Sequence, residues 1–190
     1  MRLTILHAFL LLLICAPPAL AQSSAAAGDA FARGRWHFEA EAAAGIEAWN
    51  YNISHEELYA VSEGVTYGVR NGLVIRAAQR IAYVSQRAED AVLLGLSIGV
   101  RGRIYQSGRL SAFLQGDVGI SHTAIATPPR GTRFNYVAIG GGGVMVRVHP
   151  RIHAVAALQL IHVSNAGLKG PGRNPDIEAI GPSIGLLVRF

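Results

Sequence analysis

The chain of 190 residues contains a single cysteine, Cys15, and it lies in an apolar leader rather than in the body of the sequence. One thiol cannot build a disulfide framework or a Cys-x-x-Cys metal or redox site. Long apolar runs are scarce too. Although 51% of the residues are hydrophobic, no uninterrupted stretch beyond the leader reaches the roughly 20 residues that a membrane helix requires. Histidines His122, His149, His153 and His162 are scattered and form no metal-binding motif, and no acidic loop has calcium-site spacing. The sequence therefore predicts neither a metal nor any other cofactor. Basic residues interleaved with aromatics are also missing, which argues against a nucleic-acid partner.

Residues 1–21 read as a secretory signal, with Arg2 as the positive start, an apolar stretch from Leu3 to Ala16, and Ala19-Leu20-Ala21 as the small-residue cleavage site. Pro17-Pro18 interrupts the run and makes it a poor anchor helix. Cleavage after Ala21 leaves 22–190 as one domain, in which 16 basic residues face 12 acidic ones. That small excess is compatible with anionic lipid head groups as neighbours.

Alternation supplies what long runs do not. Trp36, Phe38, Ala40, Ala42, Ala44 and Ile46 share one parity, while His37, Glu39, Glu41 and Glu47 occupy the other. The same period of two recurs in Val92–Val100 and in Leu110–Ile120, and it specifies strands with one apolar side. Eight such stretches are predicted, over 35–48, 56–69, 72–84, 90–104, 109–123, 133–148, 152–165 and 177–190. Tight turns at Asn71-Gly72, Ser107-Gly108 and His149-Pro150 take turns with longer connections over 49–55, 85–89, 124–132 and 166–176. An all-β, eight-stranded antiparallel transmembrane barrel accounts for this rhythm, with short turns on one side of the membrane and longer loops on the other. Closure is required, because an open sheet edge in hydrocarbon leaves backbone groups unpaired at several kcal/mol each.

Glu39, Glu41, Glu47, Arg76, Arg80, Arg101, Arg103 and Asp117 then point into a narrow lumen, where they are expected to pair as structural charges rather than to line a pore. The last strand carries Ile180, Ile184, Leu186, Val188 and Phe190 on one parity. This resembles the terminal-strand signal of outer-membrane proteins, and it implies a bacterial outer-membrane location with 166–176 as an external loop.

Against this background, His162-Val163-Ser164-Asn165 stands out. His162 and Ser164 share the face of Leu158 and Leu160, which puts a base and a nucleophile side by side near the end of a lipid-facing wall. Glu178 has lipid-facing parity on the last strand, across the hairpin from His162, and is the first choice for the group that orients the imidazole. Asp176 is the second.

The segment His162-Val163-Ser164-Asn165-Ala166-Gly167-Leu168-Lys169, followed by Asn174-Pro175-Asp176-Ile177-Glu178, resembles the C-terminal signature of the lipid A 3-O-deacylases, the PagL-type outer-membrane acyl hydrolases. The likeness is strongest over about the last 30 residues. It implies a His162–Ser164–Glu178 triad on the outer wall of the barrel, an oxyanion hole from the Asn165 side chain and the Gly167 amide, and lipid A of lipopolysaccharide as the substrate. Phe134, Tyr136 and the run Gly140–Gly143 are candidates for an acyl-chain groove, although the glycine run reads better as a bend or a site of close packing. A homodimer is compatible with a site that faces lipid. Two other readings stay open, a non-enzymatic structural or adhesive barrel and a different acyl-chain enzyme such as a phospholipase or palmitoyl transferase.

Overall fold

In the computed structural model the described residues are 28–49, 55–87, 89–170 and 174–190. The expected signal over 1–21 lies outside them. Eight strands follow one another: β1 (Trp36–Glu47), β2 (Glu57–Arg70), β3 (Leu73–Ser85), β4 (Ala91–Ser107), β5 (Leu110–Thr127), β6 (Thr132–His149), β7 (Ile152–Ser164) and β8 (Ile177–Arg189). Each pairs antiparallel with the next, and β1 pairs with β8 to close the barrel. No described residue lies in a helix.

The pleat sorts the side chains as the alternation predicts. Outward positions such as Val61, Ile81, Leu94, Leu96, Ile98 and Ile184 are exposed, whereas the intervening residues are buried or half-buried. Aromatic side chains gather at both rims of this apolar band, with Trp36 against Tyr67 at 4.7 Å between ring centroids on one side and Tyr59 opposite Tyr83 on the other.

One connection differs from expectation. The 124–132 loop shrinks to 128–131, because strand pairing resumes beyond a register shift between His122 and Thr127. The Asn135 side chain makes the extension possible, donating to the carbonyls of Thr127 at 2.9 Å and Thr132 at 3.1 Å. The glycine run behaves as close packing. A Cβ at Gly141 or Gly143 would sit 2.3 Å from the Leu158 carbonyl oxygen or 2.2 Å from that of Ala156, so these positions let β6 and β7 approach at their inward faces.

Side chains fill the lumen in three layers. At the loop end, Leu58, Val84, Leu93, Ile139, Ile161, Val163 and Ile177 form a dry cluster. At the turn end, Phe113, Met145, Val155 and Leu187 surround Phe31, which enters from the segment before β1 and plugs the mouth. Between them lies the ionic layer. Arg76 bonds Glu39 at 3.1 Å and Asp117 at 2.7 Å, and Arg101 bonds Glu39 at 2.7 Å and Gln115 at 3.0 Å. Arg80 reaches Glu41 at 3.5 Å, while Gln159 donates to the same carboxylate at 2.8 Å. Arg103 pairs with Asp29 near Phe31. Seven of the eight charges predicted to be structural are thus paired, and the eighth, Glu47, accepts a backbone N–H instead.

Glu39 alone bridges two guanidinium groups, one of them on the fully buried Arg101. Glu39→Leu is expected to destabilise the barrel by about 3–5 kcal/mol, because it leaves buried positive charge uncompensated. Asp117→Asn should cost less, since Arg76 keeps Glu39. Equilibrium urea unfolding of the folded barrel measures both.

Candidate active site

The site follows from the register of three strands. In the β7–β8 pair His162 stands opposite Glu178, and in the β6–β7 pair Ser164 stands opposite Tyr136. Ile161, Val163, Ile177 and Ala179, the inward neighbours of these residues on β7 and β8, are locked in the dry cluster. Packing on the inside therefore fixes the strands that present polar groups outside.

His162 Nε2 and Ser164 Oγ are 2.9 Å apart, a hydrogen-bond distance. The opposite ring nitrogen, Nδ1, lies 3.7 Å from Glu178 Oε1, within ion-pair range but longer than a hydrogen bond. Both side chains are about one-third exposed, at 32% and 29%. Ser164 has outward parity, yet it is buried, next to Asn165. A hydroxyl removed from water beside an imidazole, which in turn faces a carboxylate, is the arrangement that nucleophilic acyl transfer needs.

Asp176 is close as well, with ligand atoms of His162, Asp176 and Glu178 all within 4.8 Å of one another. One imidazole and two carboxylates at that spacing can also hold a divalent cation. The structure thus brings both sequence-predicted acids to the imidazole. Strand register aligns Glu178 with His162, whereas Asp176 precedes the strand.

Beyond Ser164 the chain turns sharply, with φ of 52° at Ala166 and 78° at Gly167. The Asn165 amide donates to Asn174 Oδ1 at 3.1 Å, so the distant end of the loop pins its start. The Gly167 amide donates to Asn165 Oδ1 at 2.9 Å. The two groups named for the oxyanion hole therefore bond each other here, and Gly167 is free to serve an oxyanion only after the Asn165 carboxamide turns away.

Two further residues join the site. Glu47, which parity marks only as a lumen charge, accepts from the Glu178 amide at 2.9 Å and holds the backbone of the acid. Its own amide donates to the Glu56 carbonyl at 2.9 Å. The contact with Glu178 has no sequence signal, because it depends on the β1–β8 closure. On the outer side, Arg133, Phe134, Asn165, Leu168 and Lys169 line a cleft of about 440 Å³ between the β5–β6 hairpin and the loop after Ser164.

No protein-family model matches the chain, and no curated protein matches it by sequence. Solved structures do match in shape. The outer-membrane enzyme PagL superposes with a TM-score of 0.58 at 16% identity, over 77% of this chain and 97% of that one. Neisserial surface protein A superposes with a TM-score of 0.57 at 13% identity, over 82% and 97%. An enzyme and a surface protein share the architecture, so at these identities the likeness speaks for the fold. This chain is an eight-stranded β-barrel of the bacterial outer membrane.

The mouth beside the site carries a buried acid. Burial pushes the Glu56 carboxyl above the ordinary carboxylate value, against smaller opposing effects from its backbone hydrogen bond and Arg87, and its Oε2 has no hydrogen-bond partner. A raised folded-state pKa means that Glu56 contributes stability below its unfolded value, and that this contribution is lost as pH rises through the folded one. Glu56→Gln is expected to raise stability at neutral pH and to make no difference well below the ordinary carboxylate pKa. Parallel denaturant titrations at the two pH values check the sign.

Proposed function

We propose that this barrel is a lipid A 3-O-deacylase, a serine esterase that removes the ester-linked acyl chain at the 3 position of lipid A in the outer leaflet. The observation that carries the reading is the 2.9 Å contact between His162 Nε2 and Ser164 Oγ on the lipid-facing wall, with Glu178 behind the ring. A structural or adhesive barrel gains nothing from a buried serine against an imidazole at its membrane surface.

In the reaction, His162 Nε2 takes the Ser164 proton as Oγ bonds to the ester carbonyl carbon. Glu178 stabilises the imidazolium through Nδ1, and closing the 3.7 Å gap to hydrogen-bond length accompanies substrate binding. Asn165 rotates, its carboxamide N–H and the released Gly167 amide donate to the oxyanion, and their bond in the resting site reforms after turnover. Collapse breaks the bond to the sugar oxygen, which receives the proton from His162. Water, deprotonated by the same imidazole, then hydrolyses the acyl-serine, so the products are a free 3-hydroxy fatty acid and 3-O-deacylated lipid A.

The surroundings suit this substrate more than a neutral ester. Arg133 and Lys169 bring two cations to the cleft beside Asn165, where the phosphates of lipid A supply matching anions. Phe134 and Tyr136, packed edge to face at 5.7 Å, present aromatic surface next to Ser164 for the acyl chain.

Mass spectrometry of lipid A from outer membranes is the test. The wild type should remove one 3-hydroxyacyl chain from a 3-O-acylated substrate. Ser164→Ala should slow the reaction by about 10⁴-fold or more at equal barrel levels, and Asn165→Ala by roughly 10²–10³. Glu178→Gln should cost more than Asp176→Asn. Identical lipid A from wild type and Ser164→Ala, with both folded, removes the reading. Chelation should leave the rate unchanged; loss of activity with EDTA and its return with calcium would instead give His162, Asp176 and Glu178 to a metal.

A further inference from the structure

Outside the candidate active site, one polar pair breaks the apolar wall. Glu63 on β2 and Gln79 on β3 have outward parity, are exposed, and stand directly opposite each other in the strand register. Gln79 Nε2 donates to Glu63 Oε1 at 2.5 Å. Glu63 lies four residues from Tyr59 and four from Tyr67 on the same face of β2, midway between the aromatic rims. At about 3.3 Å per residue and a tilt near 45°, that places it roughly 10 Å from either rim, close to the bilayer centre. Ala40 flanks it on β1 and Leu96 flanks Gln79 on β4. Leu96, Phe38 and Ala77 shape a depression of about 450 Å³ over the pair.

Hydrocarbon offers such a pair nothing. The internal bond uses one N–H of Gln79 and one oxygen of Glu63, so the second N–H and the second carboxylate oxygen point at lipid, where polar groups are expensive. We propose that the β2–β3 wall is a dimer interface with a second copy of this chain. The leftover groups are complementary to themselves. A two-fold axis beside the pair sets the free N–H of each Gln79 on the free oxygen of the other copy's Glu63, and a closed ring of hydrogen bonds results. Small Ala40 and Ala77 let two walls approach closely enough to make it. In the closed strand order, β2–β3 lies opposite β6–β7, so pairing here leaves Ser164 and His162 facing lipid. The proposal is independent of the deacylase reading.

Disulfide capture in native outer membranes tests it, in full-length chains carrying Cys15→Ser and one new cysteine. Ala77→Cys, beside the pair, should give an oxidised species of twice the chain mass, whereas Leu158→Cys on the opposite wall should not. Adding Glu63→Leu and Gln79→Leu together should lower that cross-linked fraction roughly tenfold, with folding verified by heat-modifiable gel mobility. Ala77→Cys linking no better than Leu158→Cys, an adduct of another mass, or a cross-link indifferent to the double leucine change would each overturn the proposal.

Discussion

The antiparallel register between β7 and β8 is the constraint on which the site depends. Because His162 stands opposite Glu178 and the pleat sends both outward, a base and an acid far apart in sequence meet without a dedicated loop. Ser164 joins them by a separate rule, since residues two apart on one strand share a face. A slip of one residue in this hairpin would turn every member inward and expose Ile161, Val163 and Ile177 in their place. The penalty for moving those apolar groups out of the dry cluster therefore protects the geometry outside.

Barrel closure carries that protection around the molecule. Glu47 on β1 holds the Glu178 amide only because β1 pairs with β8, and the same closure brings Glu39 between Arg76 and Arg101. A buried ionic layer in itself is weak evidence of stability, because desolvation offsets much of the attraction. Its value here is specificity. The network draws on β1, β3, β4 and β5, so an alternative strand order would strand charge inside the barrel.

Much of this was legible from parity. The period of two gives the strand count, the inward charges and the outward direction of His162, Ser164 and Glu178, because a pleated strand has only two sides. Parity says nothing about depth in the lumen, so the dry layer beneath the site and the entry of Phe31 into the turn end had no periodic signal. Side-chain rescue of pairing was equally hidden. The extension of β5 and β6 rests on Asn135 bonding the Thr127 carbonyl across the hairpin and the Thr132 carbonyl on its own strand, which the turn-like sequence Pro128-Pro129-Arg130-Gly131 does not announce. The bond between Gly167 and Asn165 is of the same kind, as it arises from a left-handed turn rather than from alternation.

Where polar groups sit on the lipid-facing wall separates two kinds of demand. His162, Ser164 and Glu178 lie at the loop end of the apolar band, where a charged or polar side chain is tolerated because head groups and water are near. A reacting ester of a lipid must also come to that level, since its sugar cannot follow the acyl chain into hydrocarbon. The depth that makes these three side chains inexpensive is therefore the depth that the proposed lipid substrate can reach. Glu63 and Gln79 lie where neither argument applies, with no water to solvate them and no polar part of a lipid to meet them. A shared fold with both an enzyme and a surface protein assigns no role to either cluster. Depth and chemistry are what the two proposals rest on. Polar groups at the interface point toward a lipid head group, and polar groups at the midplane toward another protein wall.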